Sequence, residues 1–289
     1  RLPSTDIMII SIASGKGGTG KTTVAVNLAL SLKEAQLLDC DVEEPNCHIF
    51  LKPEISESKP AFIPVPEIDE SKCNYCGECS RICVYNALAV IPAEKDKKGN
   101  VLVFAHLCHG CGVCSKLCPQ LAIQEVKREI GVVEIGKRGE LEFVHGKLNV
   151  GEAMSPPLIR QVKKQILPDK TVIIDAPPGT SCPVIASVKG SDFCILVTEP
   201  TPFGLNDLKL AVEVVRKLKI PFGVVVNRSD IGDQETDSYC EKEKIPVLAK
   251  IPFNKVVAIA YSKGIPAIEA YPGYKMIFKD IFEEVKKLI

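Results

Sequence analysis

The sequence predicts an α/β protein: a doubly wound, mostly parallel sheet interrupted by a small α+β module. Three observations predict it. Short apolar, β-branched runs nearly free of charge alternate with longer segments of helical periodicity, as in parallel sheets covered on both faces. Acidic residues close several of those runs. Eight of the thirteen cysteines in the 289-residue chain are gathered between Cys73 and Cys118, where the alternation stops.

The first apolar run, Ile7 to Ala13, reads as a buried strand, and SGKGGTGKTT follows it from Ser14 to Thr23. Gly15, Gly20, Lys21 and Thr22 satisfy the pattern G-x-x-x-x-G-K-[ST]. Downstream, Val24, Leu28 and Leu32 stand four residues apart, a helix with a buried stripe. Strand, glycine loop and helix is the order a P-loop NTPase requires. Backbone N–H groups of Gly15, Gly17, Gly18, Thr19 and Gly20 would close around phosphate oxygens of ATP or ADP, with Thr23 ending the contact stretch. Lys21 would pair with the β and γ phosphates and the Thr22 hydroxyl would ligate Mg²⁺. One lysine suffices for such a site, yet this loop carries a second, Lys16.

Magnesium and an attacking water both need carboxylates. AQLLDCD ends a short apolar strand at Asp39 and Asp41, and TVIID ends another at Asp175. Acids at strand ends also cap helices, which is the alternative for Asp39 and Asp175. Three further strands continue the pattern: DFCILVTEP (192–200), PFGVVVNR (221–228) and IPVLAKIPF (245–253), the first two separated by a helical run from Gly204 to Leu218. Strand ends gathered at one carboxyl edge form the usual ligand site of such sheets.

The cysteines fall in two runs, Cys73, Cys76, Cys79, Cys83 and Cys108, Cys111, Cys114, Cys118, each C-x₂-C-x₂-C-x₃-C. The second ends in Pro119, as the bacterial ferredoxin pattern does; Val84 stands at that place in the first. The runs repeat at an offset of 35 residues that extends into NALAVI and QLAIQEV. Two [4Fe-4S] clusters are expected. Zinc, which favours paired knuckles on separate loops, and disulfides are the alternatives. Residues 66–128 are thus expected to form an inserted module, with 1–65 and 129–289 as the ATPase. The module has little apolar content, so bound clusters would stand in for a core. The preceding FLKPEISESKPAFIPVPEID reads as a linker, and GVVEIGKRGELEFVHGKLN as a hairpin turning near Lys137 to Gly139, followed by a helix from Pro157 to Ile166.

With its second lysine, GKGGTGKT resembles the deviant-P-loop ATPases, the MinD/ParA family that includes the nitrogenase iron protein, Mrp-type ATPases and iron-sulfur scaffold ATPases. DAPPG at Asp175, Pro177, Pro178 and Gly179 matches that family's second acidic motif. The resemblance implies a nucleotide-dependent homodimer in which Lys16 reaches the partner's phosphates. It implies that Asp41 orients or deprotonates water, that Asp39 supports it, and that Asp175 holds Mg²⁺ through water. Asn227 would recognise adenine, and Pro252 would flank the base. The cysteine repeat resembles the two-cluster ferredoxins, in which the fourth cysteine of each run crosses over; the implied ligand sets are Cys73, Cys76, Cys79 with Cys118, and Cys108, Cys111, Cys114 with Cys83.

Together these resemblances imply an ATPase that couples nucleotide state to electron transfer through two clusters, or to their handling, with a redox protein or an apoprotein as partner. The alternatives are an iron-sulfur scaffold or carrier, and a positioning ATPase like MinD or ParA. Cys182 lies seven residues beyond Asp175, where the nitrogenase iron protein places its bridging-cluster cysteine. The chain between Ile123 and Asp175 holds no cysteine to complete such a cluster, so Cys182 is expected to mark a nucleotide-responsive element instead.

Thirty-six basic and thirty-six acidic residues cancel, which gives no support for nucleic-acid binding by bulk charge. No signal peptide or spanning apolar run is read, so a cytoplasmic location is expected, with Met8 a candidate native start. His48, His106, His109 and His145 lack ligand-like spacing. Cys40, Cys47, Cys194 and Cys240 read as small buried side chains. The last helix carries a stripe at Ile277, Ile281, Val285 and Leu288, expected to dock on the sheet rather than on a membrane.

Overall fold

The computed structural model describes residues 8–95 and 97–289; Ile7 and the segment before the candidate start at Met8 lie outside the described residues. Two compact units are present. One comprises the described part of Arg1–Lys59 with Val133–Lys147 and Ile159–Ile289, and the other Pro60–Val132 with Leu148–Leu158. The second is therefore wider than the 66–128 read from the cysteines.

In chain order the first elements are β1 (Ile9–Ala13), α1 (Lys21–Ser31), β2 (Ala35–Asp39), α2 (Cys47–Leu51) and β3 (Glu54–Ile68). The cysteine-rich part adds α3 (Glu78–Ile82), β4 (Leu88–Ile91), β5 (Asn100–Val103) and α4 (Val113–Lys116). Next come β6 (Ile123–Arg138), β7 (Leu141–Leu148), α5 (Pro156–Lys163), β8 (Thr171–Asp175) and α6 (Cys182–Val188). The chain closes with β9 (Phe193–Thr198), α7 (Pro202–Lys217), β10 (Phe222–Asn227), α8 (Glu235–Lys242), β11 (Val247–Ile251), α9 (Lys255–Ser262), α10 (Ala267–Ala270) and α11 (Tyr274–Leu288).

Nine strands form one sheet in the order β11-β10-β9-β1-β8-β2-β7-β6-β3. The pairs from β11 to β7 are all parallel. Along β9, Phe193, Ile195 and Val197 pack into a core with Val24 and Leu28 of α1 and Phe278 and Ile281 of α11. The alternate residues Cys194 and Leu196 pack with Val184 of α6 and Leu208 and Val212 of α7. Each central strand is thus buried on both faces, which is why it reads as an unbroken apolar run.

Two expectations are corrected. The segment read as a linker is β3, fifteen residues long and at the sheet edge. Pro60, Pro64 and Pro66 are tolerated there because an edge strand has one side that donates no ladder hydrogen bond. The expected hairpin is present, but its first strand starts at Ile123, inside the segment assigned to the module. The terminal helix does dock on the core, through Tyr274, Phe278, Ile281, Phe282 and Val285; Leu288 of the expected stripe is exposed.

Lys163, at the end of α5, donates from Nζ to the carbonyls of Ala186, Ser187 and Lys189 at 3.1, 2.6 and 2.7 Å. It closes the C-terminus of α6, whose last carbonyls have no partner within the helix. Lys163→Met keeps the apolar stem and removes those bonds, and should lower the urea-unfolding free energy by about 2 kcal/mol. An unchanged midpoint and slope would mean that the cap contributes nothing.

Candidate functional site

The glycine loop leaves the buried end of β1 and enters α1 through Gly20, which adopts a left-handed conformation at φ 96°. A Cβ there would stand 2.4 Å from Asn227 Nδ2. Only glycine allows that approach, and it is used: Asn227 Nδ2 donates to the Thr19 carbonyl at 2.9 Å, tying the end of β10 to the loop.

A cleft of about 500 Å³ opens beside the loop. Of the residues expected in the site, Gly17, Gly18, Gly20, Lys21, Thr22, Thr23, Asp41, Asn227 and Pro252 line it. Gly15, Lys16, Thr19 and Asp175 do not. Lys16 stands on the loop with its carbonyl accepting from Ser14 Oγ. Asp175 lies one contact deeper, accepting from Thr22 Oγ1 at 2.7 Å. The cleft also holds residues the sequence did not single out, among them Glu44, Asn46, Arg228, Tyr261, Tyr274 and Phe278. Glu44 and Asn46 follow Asp41 within three to five residues, a cue that was legible; Tyr261 belongs to α9 and Tyr274 and Phe278 to α11, and their place in the cleft depends on where those helices dock.

Three carboxylates meet at this end of the sheet. Asp39 and Asp175 are register partners on β2 and β8, and both are fully buried. Asp39 accepts from the backbone N–H groups of Asp41, Asn46 and Cys47 at 3.0–3.1 Å, the last two at the start of α2. The helix-capping alternative therefore describes what Asp39 does here. Asp175 caps no helix; its Oδ2 accepts from Thr22 Oγ1 and from Cys47 Sγ, the latter at 3.3 Å, while its Oδ1 is buried without a partner.

Burial first, then the neighbouring Asp175 carboxylate, push the Asp39 carboxyl up to about 8 against the pull of the Cys47 and Asp41 N–H donors. Burial also raises Asp175, against Thr22, Lys21 and Cys47. Asp41 is raised to about 7 by burial and by Asp175, against Lys21. A bound divalent cation would relieve all three, and the unpartnered Asp175 oxygen fits one.

In the other unit the cysteine runs share one backbone plan. Left-handed residues recur at the 35-residue offset: Tyr75 and Gly110, Gly77 and Gly112, Asn86 and Leu121. Backbone N–H groups of Tyr75, Ala87, Gly110 and Ala122 donate to Sγ of Cys73, Cys83, Cys108 and Cys118 at 3.3–3.4 Å, again in offset pairs. One cavity is lined by Cys73, Cys76, Cys79 and Cys118, and a second by Cys83, Cys108, Cys111 and Cys114. Among the described residues, the set of three ligand atoms at single-ion spacing is Asp39, Cys47 and Asp175; neither cysteine set closes to that spacing. Tetrahedral zinc would draw four sulfurs to about 4 Å of one another. The wider spacing of the cysteine sulfurs suits a larger group.

A model of the CobQ/CobB/MinD/ParA nucleotide binding domain matches residues 10–267. The chain belongs to this family. An uncharacterized protein of Methanocaldococcus jannaschii is 35% identical over 90% of this chain and 91% of its own length. A relative named iron-sulfur cluster carrier protein, from Pyrococcus abyssi, is 26% identical over 90% of this chain and 78% of its own. The MinD/ParA-type fold is seen in the septum site-determining protein MinD of Pyrococcus horikoshii, solved with Mg-ADP, at a TM-score of 0.58, 21% identity and coverage of 98% and 97% of the two chains. It is seen again in a Cyanothece McdA–ATP complex at 0.59, 17% identity and 98% of each chain. No helix among the described residues is long and apolar enough to cross a membrane.

Because the Asp39 carboxyl is raised, the folded state of this MinD/ParA-type chain holds a proton that the unfolded chain releases above about pH 4. Without divalent cations, stability contributed by this group is complete below about pH 4 and is lost as pH rises to about 8. Urea unfolding in chelator at several pH values should show Asp39→Asn with a flatter decline than wild type across that window. Parallel declines would place the buried proton elsewhere.

Proposed function

We propose that this chain is an ATP-hydrolysing, nucleotide-dependent dimer that couples nucleotide state to electron transfer through two [4Fe-4S] clusters held in a ferredoxin-type module around residues 66–128. The observation that carries the reading is the crossed grouping of the eight cysteines, with Cys118 beside the first run and Cys83 beside the second, in a chain that also has a complete phosphate loop. The N–H donors to Cys73, Cys83, Cys108 and Cys118 support it, since cluster thiolates are tuned by such bonds. When bound, the clusters supply one-electron chemistry; the protein contributes eight thiolates and the backbone that spaces them.

At the other site, Lys21 pairs with the β and γ phosphates, and Thr22 with Asp175, through water, positions Mg²⁺. Asp41 orients the attacking water in the cleft. Asn227, with its amide N–H committed to the loop, keeps Oδ1 as the acceptor for an adenine amino group, and Pro252 flanks the base. Lys16, which does not line its own cleft, serves the partner's phosphates. The Mg-ADP of the Pyrococcus horikoshii MinD supports the nucleotide and the ion. The relatives named as iron-sulfur cluster carriers favour a second reading, in which the clusters are cargo delivered to apoproteins.

Anaerobic preparations should contain about eight iron and eight sulfide per chain, and Cys118→Ser should lose about half while keeping nucleotide binding. Stoichiometric zinc in their place would refute the cluster assignment, and rapid transfer of iron to an apo-ferredoxin would favour the carrier reading.

Lys16→Ala should bind ATP within about threefold of wild type yet fail to dimerise with a non-hydrolysable analogue and lose at least about tenfold in hydrolysis. Sedimentation and turnover measure this. A variant that dimerises and hydrolyses normally would remove Lys16 from the partner's site.

A further inference from the structure

Beneath the nucleotide cleft, Asp39, Cys47 and Asp175 each present a ligand atom within 4.8 Å of the other two. All three residues are fully buried. Nucleotide chemistry with magnesium asks for no thiol here: Mg²⁺ takes oxygen ligands and keeps several of its waters. One sulfur with two carboxylates is instead a donor set for a borderline-soft ion such as Zn²⁺ or Fe²⁺. A second observation points the same way. Asp175 Oδ1 is buried with no hydrogen-bond partner, so an acceptor is left over after Thr22 and Cys47 have been satisfied.

We propose that a divalent cation of the zinc or ferrous class binds Asp39, Cys47 and Asp175 and holds the ATPase off. The ion takes the place of the proton that Cys47 now shares with Asp175. As the metal–sulfur bond forms, that proton and the one held by Asp39 leave for solvent, and the two carboxylates then donate lone pairs without any change of oxidation state. Three protein ligands leave a fourth position for water. Asp175 is then committed to this ion and is withdrawn from Thr22 and from Mg²⁺. Ferrous ion is what a damaged iron-sulfur cluster sheds, so such a site would slow nucleotide turnover in chains whose clusters are failing.

The inhibitory half of this inference rests on the Mg²⁺-dependent ATPase reading; the binding half does not. Zinc K-edge absorption on the anaerobic, cluster-loaded full chain with one equivalent of Zn²⁺ and no nucleotide sees zinc alone. One sulfur at about 2.3 Å with oxygen ligands at about 2.0–2.2 Å is the expected shell. A shell of oxygen and nitrogen only, or of four sulfurs as in vacated cluster sites, would overturn the proposal. Cys47→Ser should lose the sulfur and require at least about tenfold more Zn²⁺ to inhibit, with each protein referred to its own zinc-free rate. Equal sensitivity of wild type and Cys47→Ser would overturn the inhibitory half, whereas a chain without ATPase activity but with the single-sulfur shell would keep the site and sink only the ATPase reading.

Discussion

Two carboxylates, Asp39 and Asp175, sit side by side at the ends of adjacent parallel strands with no exposure to water. Ionising both in that place costs more than the surrounding donors return, so burial raises both. The arrangement is tolerable only if protons or a cation balance it, and the neighbouring structure is organised around that need. The phosphate loop brings Thr22 to Asp175. The start of α2 brings two backbone N–H groups to Asp39 and a thiol to Asp175. Lys21, close enough to lower both Asp41 and Asp175, is the nearby fixed positive charge. Under the proposed reading, a site built this way would change its proton count and its contacts when a magnesium nucleotide binds, which is what a nucleotide-driven switch requires.

The cysteine unit meets a different constraint. Its short helices α3 and α4 are four or five residues long and contain no buried residue. What orders it is repetition of backbone geometry, with left-handed turns and N–H donors at matching places in both halves. Under the proposed cluster reading, such a segment would draw stability from what the cysteines hold in addition to the burial of residues such as Ile63, Leu88 and Ala122.

Much of this was legible because local chemistry and global fold agree. The loop between Ser14 and Thr23 announces its strand and helix, and the strand ends at Asp39 and Asp175 are acidic for the same reason that they are functional candidates. The 35-residue repeat appears in the letters before it appears in the dihedral angles. Other features are hidden for physical reasons. In β3, the prolines, serines and acids that suit an exposed edge strand carry the composition of a linker. Helix α2 spans five residues, too few for a periodic pattern, although it positions Cys47 beneath the site. Tyr274 and Phe278 of α11 lie outside the stripe read at Ile277, Ile281, Val285 and Leu288; they pack in the core and also line the cleft, which depends on where the helix docks. His145 showed no ligand spacing, but the fold buries it with Nε2 bonded to Glu134 at 2.7 Å across the β6–β7 hairpin.

The central claim is that nucleotide state and cluster chemistry are coupled in one polypeptide. Its most direct test is an anaerobic redox titration followed by electron paramagnetic resonance, performed without nucleotide, with ADP and with a non-hydrolysable ATP analogue. The account predicts that at least one cluster midpoint potential shifts between these states in the wild-type protein, and that Lys21→Ala abolishes the shift while retaining both clusters. Superimposable titrations of fully loaded wild-type protein in all three states would contradict it.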